Sequence, residues 1–144
     1  LISSLLLFLS YQLAIQTPDP EKTSALNTSH RTQLTKVLLS HKKGDELQWT
    51  GQFKQQPQTS FEFAASEKNF KFEFTTPAFG ELTQIEYQYY LEGLEENYGL
   101  WTANTTKEYT NLPPGEYTFF CRSRINQGQA GTADHFSFII SPPP

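Results

Sequence analysis

The 144-residue sequence contains no methionine, so it holds no initiator and is expected to be a piece of something longer. One cysteine, Cys121, excludes an internal disulfide; sharing a strand with Tyr117 and Phe119, it reads as a small buried core residue. Positive charge is sparse as well. Eleven Lys and Arg against 15 Asp and Glu leave a formal charge of -4, and the scattered basic residues give no footprint for nucleic-acid phosphates. A membrane span of about 20 apolar residues is missing too. The strongest apolar run, Leu1 to Leu9, lacks a basic flank and reads either as the tail of a span or signal segment or, more simply, as a buried strand of a preceding module.

The motifs of catalysis are equally lacking. There is no nucleophile elbow, no glycine-rich oxyanion motif and no glycine-rich phosphate loop. His30, His41 and His135 are spread along the chain without cysteine partners or ligand spacing, so no metal is expected and all three read as solvated. Glu95 and Glu96 are neighbours in a polar loop, which does not set two acids across a substrate bond; they too read as solvated. Neither enzymatic activity nor a cofactor is expected.

Aromatic residues are what the chain has in excess, 15% of the sequence with 12 Phe and 7 Tyr, and this composition favours half-buried strands over helices. Phe61 and Phe63 alternate around Glu62, and Phe70, Phe72 and Phe74 around Lys71 and Glu73, the period of strands with one buried face. Ile85, Tyr87, Tyr89 and Leu91 share one face of a further strand, leaving Tyr90 the more exposed tyrosine. Leu34 to Leu39 and Leu47 to Thr50 read as strands, with a helix as the alternative there. Glu116 to Ile125 and Asp134 to Ile140 form a hairpin through the Gly128 and Gly131 loop. Between Tyr109 and Tyr117 lies a corner: Pro113 and Pro114 cannot donate to a sheet, Gly115 tolerates positive φ, and both flanks are strand-like. Tyr117 can bury its ring there and bond its hydroxyl back to the loop. The fold class is therefore all-β, an immunoglobulin/fibronectin-III-like β-sandwich of about seven to eight antiparallel strands.

Taken together, Tyr87-Gln-Tyr-Tyr-Leu-Glu-Gly93, Trp101, Tyr109-Thr-Asn-Leu-Pro-Pro-Gly-Glu-Tyr117, Asn126 and Gly128 resemble the three-tyrosine (Y_Y_Y) domain of bacterial sensor proteins. The resemblance covers about Leu34 to Pro144. It implies packing roles for Tyr87, Tyr89, Leu91, Gly93, Tyr109 and Tyr117 around the turn of Pro113, Pro114 and Gly115. The family's tryptophan corresponds to Trp101 or, with a different loop alignment, its place is taken by Tyr98. In that family the sandwich follows a periplasmic β-propeller and precedes a transmembrane helix and an output such as a histidine kinase. Residues 1–17 then look like remnant strands of the last propeller blade, 18–31 like a linker, and 32–144 like the sandwich, ending at a juxtamembrane proline stretch.

The implied function is a non-catalytic, extracytoplasmic coupler in the periplasmic part of an inner-membrane, two-component-type sensor. A homodimer is expected, and a direct small-molecule ligand is not. The alternative is a free-standing carbohydrate-binding or adhesion module of a secreted protein, in which Trp49, Tyr98 and Trp101 form an aromatic platform. The bland reading of the same residues has Trp101 packed over the sandwich edge.

Overall fold

Phenylalanines on every second residue of one strand, Phe70, Phe72 and Phe74, supply one wall of an apolar layer, and Phe61, Phe63, Phe119, Phe136 and Phe138, from three strands of the facing sheet, supply the other. The computed structural model describes residues 30–43, 46–54, 60–78 and 83–144, with the backbone alone over 41–43 and 46–52. The expected propeller remnant at 1–17 and nearly all of the expected linker lie outside the described residues. The strands are β1 (Gln33–Lys43), β2 (Glu46–Gln52), β3 (Phe61–Phe63), β4 (Asn69–Thr75), β5 (Ile85–Glu92), β6 (Thr106–Tyr109), β7 (Gly115–Ile125) and β8 (Asp134–Ile140), with no helix among the described residues. The helical alternative near Leu34 is thus replaced by the β1–β2 hairpin.

Two four-stranded sheets, ordered β2-β1-β4-β6 and β3-β8-β7-β5, face each other as a sandwich. Pairing is antiparallel with one exception to the expected pattern: β3 runs parallel to β8, with Phe61 opposite Phe138, because it arrives by crossing from the other sheet rather than through a hairpin. Phe72 of β4 stacks on Phe119 of β7 with ring centroids 4.0 Å apart, and Phe70 meets Phe138 at 4.5 Å. All four rings are essentially inaccessible to water. Burying each stabilises the fold by about 1.5–3 kcal/mol, so the interleaved rings are the main cement between the sheets.

Two local irregularities follow from the spacing of apolar residues. In β1 the buried apolar residues are Leu34, Val37 and Leu39, and the step of three from Leu34 to Val37 breaks the period of two. The strand absorbs it with a register shift between Leu34 and Lys36, where Thr35 Oγ1 donates to the Glu73 carbonyl at 3.0 Å. At the corner, positive φ falls on Asn111 (56°), not on Gly115 as expected from the sequence. Asn69 Oδ1 accepts the Asn111 N–H at 3.0 Å and fixes that bend, which leaves Gly115 free to open β7 opposite Ile140. Leu112 is buried beneath the corner.

The described chain begins and ends at opposite ends of β8. At the leading end, Thr32 N–H donates to the Thr132 carbonyl and Thr132 N–H to the His30 carbonyl, both at 3.2 Å, while Leu34 N–H donates to Asp134 Oδ2 at 2.8 Å. At the trailing end, Ser141 N–H donates to the Phe63 carbonyl at 2.8 Å, and Ser141 Oγ–H to Glu62 Oε1. At ~3.3 Å per residue, the path from Thr132 to Ser141 spans about 30 Å.

Candidate functional site

The tyrosines occupy structural junctions. Tyr87 is buried against Phe74 at 5.1 Å, and its backbone pairs with Thr102: Tyr87 N–H to the Thr102 carbonyl at 2.6 Å and Thr102 N–H back at 2.9 Å. Gly99 N–H donates to the Tyr89 carbonyl at 3.3 Å, so the segment from Leu94 to Asn104 forms a strap along the otherwise open edge of β5. Tyr89, half-buried, leans on Phe74 and Phe119, with the Lys107 ammonium 5.8 Å from its ring centre. Tyr109 ends β6, and its hydroxyl donates to Glu95 Oε1 at 2.6 Å; the same oxygen accepts the Leu91 N–H at 3.0 Å. Burial first, and the Glu95 carboxylate second, hold the Tyr109 phenol well above its ordinary pKa, so it acts as a fixed donor. Glu95 is therefore a strut between strap and β6 rather than the freely solvated acid expected from the sequence.

Tyr117 closes the corner. Its hydroxyl donates to the Pro113 carbonyl at 2.5 Å and its ring stacks on Phe138 at 5.4 Å. Gly93 makes room for it: φ is 102°, and a Cβ there would lie 2.4 Å from the Glu116 carbonyl oxygen and 3.0 Å from the Tyr117 ring. Gly93 thus serves a backbone approach, and Leu91, fully buried, completes the strand end.

The aromatic platform imagined from Trp49, Tyr98 and Trp101 is not one surface. Trp49 belongs to β2, whose side chains lie outside the described residues, and β2 and β5 bound opposite edges of the sandwich. Tyr98 and Trp101 belong to the strap and lie on the outer face of β5 and β7, where the Arg122 guanidinium sits 4.0 Å from the Tyr98 centroid and that of Arg124 4.5 Å from Trp101. Arg124 pairs with Glu86 at 2.9 Å. Burial raises the Tyr98 phenol pKa, with Arg122 opposing it. Tyr90 lies on the outer face but is covered by Tyr98 at 4.8 Å and Phe120 at 5.2 Å, so it is half-buried, as Tyr89 is.

Elsewhere the chemistry is quiet. Cys121 is fully buried, and burial pushes its thiol up to about 12, which makes it inert. His30 is buried, not solvated: Nε2 lies 3.0 Å from the Ser123 carbonyl, and the ring packs so tightly on Gly131 that a Cβ there would meet it at 2.4 Å. Beside it, Thr32, Thr76 and Ser123 close a ring of buried hydroxyls at 2.8–3.1 Å. His135 is exposed, and the His41 side chain lies outside the described residues. No group of three or more His, Cys, Asp or Glu among the described residues could hold a metal. A cleft of about 360 Å³ opens above the corner, between Glu92, Glu116, Thr118 and Ser137. The Thr118 and Ser137 hydroxyls bond each other at 2.9 Å, and no hydrogen-bonded nucleophile and base are brought together in it.

Residues 79–141 match the Y_Y_Y domain, in agreement with the resemblance carried by the tyrosines. No curated protein matches the chain. Among solved structures, the chain is similar to the extracellular domain of a proposed hybrid two-component system from B. thetaiotaomicron, with a TM-score of 0.65 and 19% identity over 88% of this chain and 17% of that one. Two structures of a second extracellular domain from the same organism, described as a one-component system in one and a hybrid two-component system in the other, superpose with TM-scores of 0.57 and 0.56 at 16% identity. Each covers 80% of this chain and 16% of the other. The likeness establishes the sandwich fold, and the chain spans about a sixth of each matched structure.

Proposed function

We propose that this Y_Y_Y-containing sandwich is a non-catalytic, extracytoplasmic coupler in a bacterial signal-transduction sensor. It joins a ligand-sensing module, of the β-propeller kind, to a membrane helix and a cytoplasmic output such as a histidine kinase, and it acts within a homodimer. The observation that carries the reading is the path of β8. The chain is clipped to one end of this strand at Thr132 and Asp134 and leaves from the other at Ser141. β8 lies between β3 and β7, so a pull along it loads its flanking ladders in shear, many hydrogen bonds at once. A displacement at the leading end therefore reaches the trailing end with little loss, since a close-packed core shifts as a body rather than stretching.

The same geometry disfavours the carbohydrate-binding alternative, because Trp49 is remote from Tyr98 and Trp101 and guanidinium groups already lie against both of the latter. The test is made in the full-length receptor with Asp134→Ala, which removes the clamp on Leu34. Ligand affinity should be unchanged while output loses its dependence on ligand. Full ligand-dependent output from a well-folded variant would refute coupling through β8.

A further inference from the structure

The outer face of β5 and β7 carries a cation that no carboxylate neutralises among the described residues. Arg122 donates from Nε and Nη2 to Gln88 Oε1, at 3.1 and 2.9 Å. Its ion-pair partners are none among the described residues, whereas the neighbouring Arg124 is matched by Glu86. One Nη2 N–H and both on Nη1 remain unspent. Among the described residues, His30 Nδ1 is the one buried side-chain nitrogen or oxygen without a partner, so the unbonded Nη1 reaches solvent. The guanidinium is also held still, by Gln88 on one edge and by Tyr98 at 4.0 Å and Trp101 at 5.9 Å. A fork already fixed in orientation loses little entropy when it takes a ligand.

Where the strap passes Gln88, the partner of Arg122, it presents Leu100, 92% exposed. Leu100 is not on a frayed loop. The hydrogen bonds of Gly99 and Thr102 to β5 bracket it, and Gln88 Nε2 donates to the Gly99 carbonyl at 3.0 Å. A single exposed leucine is ordinary on a protein surface, but Arg, Tyr and Trp are the side chains that dominate protein–protein contacts, and here all three stand with it where the strap crosses β5 and β7.

We propose that Arg122 and Leu100, framed by Tyr98 and Trp101, form a docking site for a polypeptide segment that carries an acidic side chain next to an apolar one. The end-on edge of one guanidinium matches a single carboxylate in bidentate fashion, and Leu100 supplies the apolar contact. On a chain of net charge -4 this local cation selects orientation as well as partner. The partner is a neighbouring module of the same extracellular region, since the matched structures are about six times as long as the part this chain covers. That identity rests on the coupling reading; the carboxylate chemistry does not.

Amide hydrogen exchange in the full-length receptor tests the site, with Leu100→Ser and Arg122→Glu as variants. After correction for the faster intrinsic exchange that serine brings, the amides of residues 100 and 101 should exchange ~tenfold slower in the wild type than in either variant, with Phe119 and Cys121 protection equal in all three. Leu100→Ser changes a side chain in open solvent, so it keeps the comparison valid if Arg122→Glu fails to fold. Equal exchange in wild type and Leu100→Ser overturns the proposal. So does protection that appears only when an oligosaccharide is added. Signalling output is read in the same variants. Lost protection with unchanged ligand-dependent output supports docking and counts against coupling, whereas altered output with unchanged protection overturns docking and leaves coupling standing.

Discussion

Removing the Tyr117 side chain in two steps separates the two things it does at the corner. Tyr117→Phe deletes only the hydroxyl that donates to the Pro113 carbonyl. Because Pro113 is exposed, water can take over that carbonyl, and the loss should be about 0.5–1.5 kcal/mol. Tyr117→Ala also removes a buried ring stacked on Phe138 and packed under Gly93, and should cost about 3–5 kcal/mol in total. For a domain of this size that is a fall in Tm of roughly 10–20 °C for alanine and a few degrees for phenylalanine. Urea unfolding followed by tryptophan fluorescence and far-ultraviolet circular dichroism gives both values, with constant m confirming that the denatured state has not changed. If phenylalanine costs as much as alanine, the hydroxyl rather than the ring holds the corner, and the packing argument fails. If alanine unfolds at the wild-type midpoint, Tyr117 is not a corner residue at all.

The two glycines of that region should behave oppositely. Gly93→Ala forces a Cβ onto the Glu116 carbonyl at positive φ and should destabilise by about 2–4 kcal/mol, whereas Gly115→Ala meets only the Tyr117 ring at 3.6 Å and should stay within about 1 kcal/mol; equal midpoints would contradict the geometry. Asp134 is raised by burial but more strongly lowered by the Leu34 and His135 N–H groups and the Lys54 ammonium, so its folded pKa lies below the ordinary value. Its contribution to stability is then complete above the unfolded value of about 3.9 and lost as pH falls through the folded one. Acid titration of stability should show a component in that window that Asp134→Asn removes; identical wild-type and variant profiles would discount the clamp. With its thiol near 12, Cys121 should carry about one part in ten thousand of thiolate at pH 8, so a thiol reagent should label it only on unfolding. Stoichiometric labelling of the native protein would show that β7 opens.

Much of the architecture was legible because its cause is local. The alternation of Phe61 and Phe63, and of Phe70, Phe72 and Phe74, follows from a strand burying one face, and the Pro-Pro-Gly block excludes continuous pairing. These constraints need no partner to act, so strand, corner and hairpin could be read from residue order. Boundaries and irregularities were less legible. The bulge at Thr35 was foreshadowed by the Leu34 to Val37 step, but the transfer of positive φ from Gly115 to Asn111 depends on Asn69, 42 residues away.

The site residues divide in the same way. Tyr87, Tyr109 and Tyr117 were recognisable by spacing, yet what each hydroxyl or backbone meets is set by other strands. Glu95 looked like a loop acid until Tyr109 came to lie over it. Arg122 and Arg124 drew no attention in sequence, although their alternation on β7 marks an outward face. Only the pairing of Gln88 with Arg122 and of Glu86 with Arg124 shows which cation is matched by a carboxylate and which is not. Sequence alone therefore determined that this chain is an aromatic-rich sandwich with a proline corner, because side-chain period and backbone exclusion are properties of neighbouring residues. The tertiary structure decided that the leading and trailing ends of the described residues share one strand and that Arg122 meets Gln88 but no carboxylate among the described residues, because register between distant strands is fixed only when the sheets close on their core.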